Sequence, residues 1–162
     1  MDLATRLDNI RVRVRAPTAE IEAELYQRTA IRLSFGRRVY ASMHESELEE
    51  VLARIAKLLW VGWQREYRRA LEYTTLVIDA DDSTDLKFFA DRDSTEATGE
   101  SNDQRITVST VGMKDFSVRI SPETIYQLSE SQFSASVSEA AANLIQDFQT
   151  KVDEVKKRYY DY

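Results

Sequence analysis

The sequence predicts an α+β fold: two tandem β-hairpin–helix repeats, with an antiparallel sheet and two long helices. Three observations carry that prediction. Apolar and polar residues alternate in paired short runs, and this happens twice. A long stretch with apolar residues three or four apart follows each pair. The two halves also align without a gap at a constant offset of 85 positions, Glu20–Trp60 onto Arg105–Ile145.

Ile10, Val12 and Val14 alternate with Arg11, Arg13 and Arg15, the pattern of a strand with one buried and one wet face, and Pro17 ends it. Ile21, Ala23 and Leu25, a turn-like YQRT, then Ile31, Leu33 and Phe35 before Gly36 read as a hairpin. A helix should start near His44–Glu47, where early carboxylates suit the helix dipole, and run to about Tyr73. In the next stretch, TTLVID and LKFFAD are apolar enough to pack as strand or helix. RDSTEATGESNDQ is polar and reads as a flexible loop or linker. Ile106 and Val108, a turn at Gly112, then Phe116, Val118 and Ile120 repeat the hairpin pattern. Ser129 with Gln132 fits a capping box, and the spacing from Phe133 to Tyr159 carries a helix toward the C-terminus. The expected organisation is a first repeat over 1–73, an acidic connecting segment over 74–104 and a second repeat over 105–162.

At the 85-residue offset, Ile21, Ala23 and Leu25 fall on Ile106, Val108 and Thr110, and Ile31, Leu33 and Phe35 on Phe116, Val118 and Ile120. Leu48 meets Phe133 and Leu52 meets Val137, while Glu45, Ser46, Ala56 and Leu59 meet identical residues.

Composition narrows the chemistry. The chain has 162 residues, 43% hydrophobic, enough for a real core. The absence of Cys excludes disulfides, thiolate metal sites and Cys nucleophiles, and one His, His44, argues against a histidine metal site or a Ser-His-Asp triad. Gly36, Gly62, Gly99 and Gly112 are isolated, so no glycine loop cradles a phosphate. Asp79, Asp81, Asp82 and Asp85 lack the glycine and terminal Glu of a calcium loop. No enzyme, cofactor, metal or small-molecule substrate is expected. No signal-peptide core or membrane-length apolar run is evident, so a soluble, cytoplasmic protein is expected. The net charge of −6 is uneven: 13 basic against 11 acidic residues over 1–73, but 3 against 9 over 74–105.

In the second repeat, ITVST, Gly112, FSVRI with Pro122 two residues on, and LSESQFSASVSEAAANLI with Ala141 and Asn143 resemble the YbaB/EbfC family of small nucleoid-associated proteins. QLSESQFSASV is closer still to the actinobacterial YbaB-like proteins that accompany type VII secretion. The match covers about Arg105–Gln149, and the first repeat adds a weaker one. YbaB-like proteins dimerise by packing strands and helices of two subunits together. The resemblance therefore implies that one chain supplies both halves as a pseudo-dimer. It also implies an interaction module, a chaperone or regulatory factor of type VII secretion, or alternatively a protein that coats duplex DNA. Two departures stand out: Met1–Asn9 is too short for the family's opening helix, and the acidic middle segment has no counterpart.

Two sets of residues are candidates for function. In LLWVGW, Leu58, Trp60, Val61 and Trp63 extend the apolar surface of the first long helix well around its circumference. They are either buried within the chain or bound to a partner, another protein or a second copy in a homo-oligomer. Arg11, Arg13 and Arg15, Arg37 and Arg38, and Arg65, Arg68 and Arg69 are candidates for tracking DNA phosphates, with Glu20, Glu22, Glu24, Glu47, Glu49 and Glu50 at hand to pair with them instead.

Overall fold

Alternation builds two sheets. In the computed structural model, which describes residues 2–72 and 83–160, the strands β1 (Val12–Arg15), β2 (Ile21–Tyr26) and β3 (Ala30–Phe35) form one antiparallel sheet in that order. β4 (Glu96–Glu100), β5 (Ile106–Val111) and β6 (Asp115–Ile120) form another. Where the sequence suggested one sheet there are two, and each hairpin has a third strand; in the first half it is β1, at the alternating Val12 and Val14 read as a strand. In the second half that strand is β4, inside the polar stretch read as a loop. Its inward residues are Ala97 and Gly99, too small to register as hydrophobic alternation.

The two halves keep one register. Ile21 faces Phe35 as Ile106 faces Ile120, and Val12 faces Leu25 as Ala97 faces Thr110. Their hairpins turn through the left-handed region at Gln27 and Arg28, and at Gly112 and Met113. Arg38 and Glu123, also at positive φ, open the short helices α2 (Val39–Ser42) and α5 (Thr124–Gln127). Every one of these pairs is 85 positions apart. The short helix α1 (Leu3–Asp8) precedes β1, and α4 (Ser83–Asp93), which contains LKFFAD, precedes β4.

Each unit ends in a long helix, α3 (Glu45–Glu72) or α6 (Glu130–Tyr159). Ser129 and Gln132 form the expected capping box on α6. Both helices reach across the molecule. α3 packs on β1 and β2 of its own half and on β6 of the other; α6 packs on β4 and β5 of its own half and on β3 of the other. The core lies between: Leu48, Leu52, Ile55 and Leu59 of α3 and Phe133, Val137, Ala140 and Leu144 of α6 share one buried cluster with the strand residues Ile21, Leu33, Ile106 and Val108. An apolar cavity of about 80 Å³ remains at its centre, lined by equivalent residues from both halves, among them Leu33 and Val118, Leu52 and Val137, and Leu59 and Leu144.

Polar contacts tie the halves at the strand edges. The N–H groups of Ile31 and Leu33 on β3 donate to the hydroxyls of Ser138 and Ser134 on α6, each at 3.0 Å. The N–H of Ile120 on β6 donates to Glu49 on α3 at 2.8 Å. Tyr40, buried beside Phe35 and Phe133, donates its hydroxyl to the carbonyl of Leu128; burial pushes its pKa up to about 12.

α6 sits so close to β4 that the strand has no room for a side chain at Gly99. A Cβ there would lie 2.2 Å from both the carbonyl oxygen of Ala140 and the amide nitrogen of Leu144. These are backbone atoms and cannot rotate aside. Gly99→Ala is therefore expected to lower stability by about 3 kcal/mol, read as a fall in the denaturant midpoint at unchanged slope.

Candidate functional site

The apolar residues of LLWVGW part company on α3. At 3.6 residues per turn, Leu58 and Val61 share one side of the helix, and Trp60 and Trp63 are turned well away from it. Leu58 is 39% and Val61 46% exposed, whereas both tryptophans are half-buried against the core. Trp60 stacks on Trp63, with ring centroids 5.6 Å apart, and Trp63 stacks on Tyr67 at 5.1 Å. Trp60 also lines the central cavity. The Nε1 of Trp63 is buried without an acceptor among the described residues.

Leu58 and Val61 instead face a groove of about 430 Å³ between α3 and β1. Its other wall is the run from Arg11 to Arg15, and Arg65 stands at its rim. Gly62 lets the helix come down onto the strand: a Cβ there would lie 2.4 Å from Cγ1 of Val12. The groove thus unites half of each candidate set. Arg69 lines an adjoining hollow with Arg11 and pairs with Glu66 at 3.0 Å, and Arg68 is exposed on α3. Arg37 and Arg38 are exposed at the turn into α2 and line no part of the groove.

The arginines of β1 are partly spoken for. Arg13 donates to Glu24 through Nη2 at 2.9 Å and Nε at 3.3 Å, Arg11 and Arg32 each stand 3.9 Å from the same carboxylate, and Arg15 is 3.6 Å from Glu22. The hydrogen bond from Arg13 holds the Glu24 carboxyl below its ordinary range even though little of that side chain is exposed. The Arg11, Arg13 and Arg15 side chains remain more than 70% exposed. Four arginines against two glutamates leave this face positive.

The matching edge of the second sheet is different. Four α6 side chains spaced one turn apart, Glu139, Asn143, Asp147 and Lys151, meet the backbone along β4. Asp147 accepts the N–H of Thr98 at 2.9 Å and Glu139 accepts that of Asn102 at 3.4 Å. Asn143 and Lys151 donate to the carbonyls of Glu100 and Glu96 at 2.8 and 2.9 Å. Nothing in the sequence pattern marks these residues as edge partners.

The remaining candidates lie away from the groove or outside the described residues. His44 is exposed ahead of α3. Asp79, Asp81 and Asp82 lie outside the described residues, as does the side chain of Asp85. Among the described residues no acidic or histidine cluster could hold a metal, and no helix is long and apolar enough to cross a membrane. In the C-terminal RYYDY, Tyr159 donates to Asp91 and Tyr160 packs on Phe88, docking the end of α6 on α4. No family model, curated protein or solved structure matches the chain.

The β4 seal should be acid-sensitive. The Thr98 N–H, then Lys151, hold the Asp147 carboxyl below its ordinary value. A carboxyl with a lowered folded-state pKa stabilises the fold above its unfolded value and loses that contribution as pH falls through the folded one. Asp147→Asn is expected to be less stable by roughly 1 kcal/mol at neutral pH. It should also show a shallower loss of stability below about pH 4, followed by thermal unfolding across pH.

Proposed function

We propose that this chain is a non-enzymatic, YbaB-like protein–protein interaction module in which two β-sheet–helix units pair within one chain as a pseudo-dimer. The supporting observation is the reciprocal crossing of the long helices, α3 onto β6 and α6 onto β3, between halves whose elements recur at one offset. A symmetric dimer buries the same patch from both subunits, each contributing in turn to its partner, and here the two contributions come from one polypeptide. With both units present, no second copy is needed to close the core, and internal pairing takes the place of the family's dimer.

The surface offered to a partner is the groove between β1 and α3, where Leu58 and Val61 are exposed beside arginines. A mixed apolar and cationic strip suits a protein segment better than a nucleic acid, because the exposed Leu58 and Val61 can pack on apolar side chains and offer a phosphate backbone no hydrogen bond. No described contact puts an aromatic ring in the groove for base stacking. A cytoplasmic role as a chaperone or regulatory factor of type VII secretion rests on the QLSESQFSASV resemblance alone.

Duplex-DNA titration at low and moderate salt, with light scattering to fix mass, tests this reading against the nucleoid alternative. The expected result is one chain of 18.7 kDa with no salt-sensitive DNA binding. Binding that weakens steeply with salt and vanishes in the triple variant Arg11→Ser, Arg13→Ser, Arg15→Ser would overturn it.

A further inference from the structure

Among the described residues, side chains of the opposing elements cap three of the four strand edges and none caps the fourth. β3 is met by Ser134 and Ser138, β6 by Glu49, and β4 by the Glu139–Lys151 stripe. β1 is the equivalent of β4. The α3 positions equivalent to Glu139, Asn143, Asp147 and Lys151 are Arg54, Leu58, Gly62 and Glu66. Leu58 and Gly62 stand where Asn143 and Asp147 do their capping, and neither has a side chain able to bond a backbone group.

Which backbone groups of β1 point outward follows from its pairing. The N–H of Ala16 donates to the carbonyl of Ile21 at 2.9 Å, as that of Ser101 does to Ile106. Alternation along an antiparallel strand then turns Val14 and Val12 toward β2, and the N–H and C=O groups of Arg13 and Arg15 away from it. Among the described residues, no side chain meets those outward groups. They form a row of donors and acceptors beside an apolar floor of Leu58 and Val61.

We infer that this edge takes an extended acidic segment of a partner protein as an added strand, with apolar residues over Leu58 and Val61 and carboxylates opposite the arginines of β1. This rests on the groove being a protein-binding surface. Charge selects the occupant. A second copy pairing antiparallel through β1 would set Arg11, Arg13 and Arg15 against the same arginines, and like charges directly opposite destabilise a sheet. On its other side β1 already pairs with a strand of the required type: β2 alternates Glu22 and Glu24 with Ile21, Ala23 and Leu25, and places Glu24 against Arg13 and Glu22 against Arg15. Strand addition draws affinity from backbone bonds and specificity from alternate side chains.

The probe is a synthetic peptide with the sequence of Ala19–Tyr26, AEIEAELY, titrated into the full chain while amide hydrogen exchange is followed residue by residue. Saturable binding with exchange at the Arg13 and Arg15 amides slowed at least tenfold is expected. The same peptide with lysine for each glutamate should not bind. Leu58→Asn, which gives α3 the cap that Asn143 supplies to Glu100, should weaken binding about tenfold in a chain that still folds, because Leu58 is exposed. Binding without slowing at Arg13 and Arg15 overturns strand addition while leaving the groove a protein surface. No binding, or equal binding of the lysine peptide, overturns the acidic occupant. Salt-sensitive DNA binding at the same arginines overturns the reading beneath both.

Discussion

A three-stranded sheet has two edges, each a row of backbone donors and acceptors that must find water, a side chain or another strand. This protein carries two such sheets, and the demands of their four edges shape most of what surrounds them. The long helices do more than cover apolar faces. α6 runs along β4 of its own sheet and across β3 of the other, and its polar residues are placed to satisfy both. α3 crosses to β6, where Glu49 reaches the last strand residue. The crossing arrangement that joins the halves is therefore an apolar packing solution and an edge-capping solution at once. Neither sheet has an independent core in this geometry, because each half's inner face is roofed by helices from both.

The halves share a backbone plan but divide the chemistry unequally. In the second half, close approach of helix and strand is permitted by a glycine on the strand, Gly99, which frees the helix to carry capping side chains. In the first half the glycine is on the helix, Gly62, at the position equivalent to Asp147. One glycine per interface suffices for close approach. Placing it on the helix removes a cap, and placing it on the strand keeps one. The sealed edge at β4 and the edge at β1 that no described side chain caps are two consequences of the same steric requirement.

Much of this plan is legible in the sequence because period-2 and helical spacing survive wherever the buried residues are large. Both hairpins and the extents of the long helices follow from Ile, Val, Leu and Phe at fixed spacing, and the cap of α6 from Ser129 and Gln132 three residues apart. The plan fades where burial uses small residues. β4 buries Ala97 and Gly99 between exposed Glu96, Thr98 and Glu100, so a strand held by α6 reads as a polar loop. The apolar surplus in LLWVGW was visible, but which of its residues face solvent depends on where β1 and the cavity sit, a matter of tertiary geometry. That is why Leu58 and Val61 reach the groove while Trp60 and Trp63 turn to the core. The serines of SESQFSASVS illustrate the reverse case. They look like solvated helix surface, yet Ser134 and Ser138 cap the edge of a strand of the other half.

The arginines of β1 fit the same account. An exposed sheet edge invites unwanted pairing, and charged side chains on the edge strand are a common defence against it. Arg11, Arg13 and Arg15 supply that defence against any neutral or basic strand, including another copy of β1. A defence built from one sign of charge is selective: it rejects like charge and favours a strand carrying the opposite one. Glu24, half-encircled by Arg11, Arg13 and Arg32 and kept ionised by them, is that preference already realised within the fold. The feature that keeps the open edge from indiscriminate association thus also specifies the chemistry of what can occupy it. Its discrimination comes from cross-strand charge, and its affinity from backbone groups that the helix beneath leaves free.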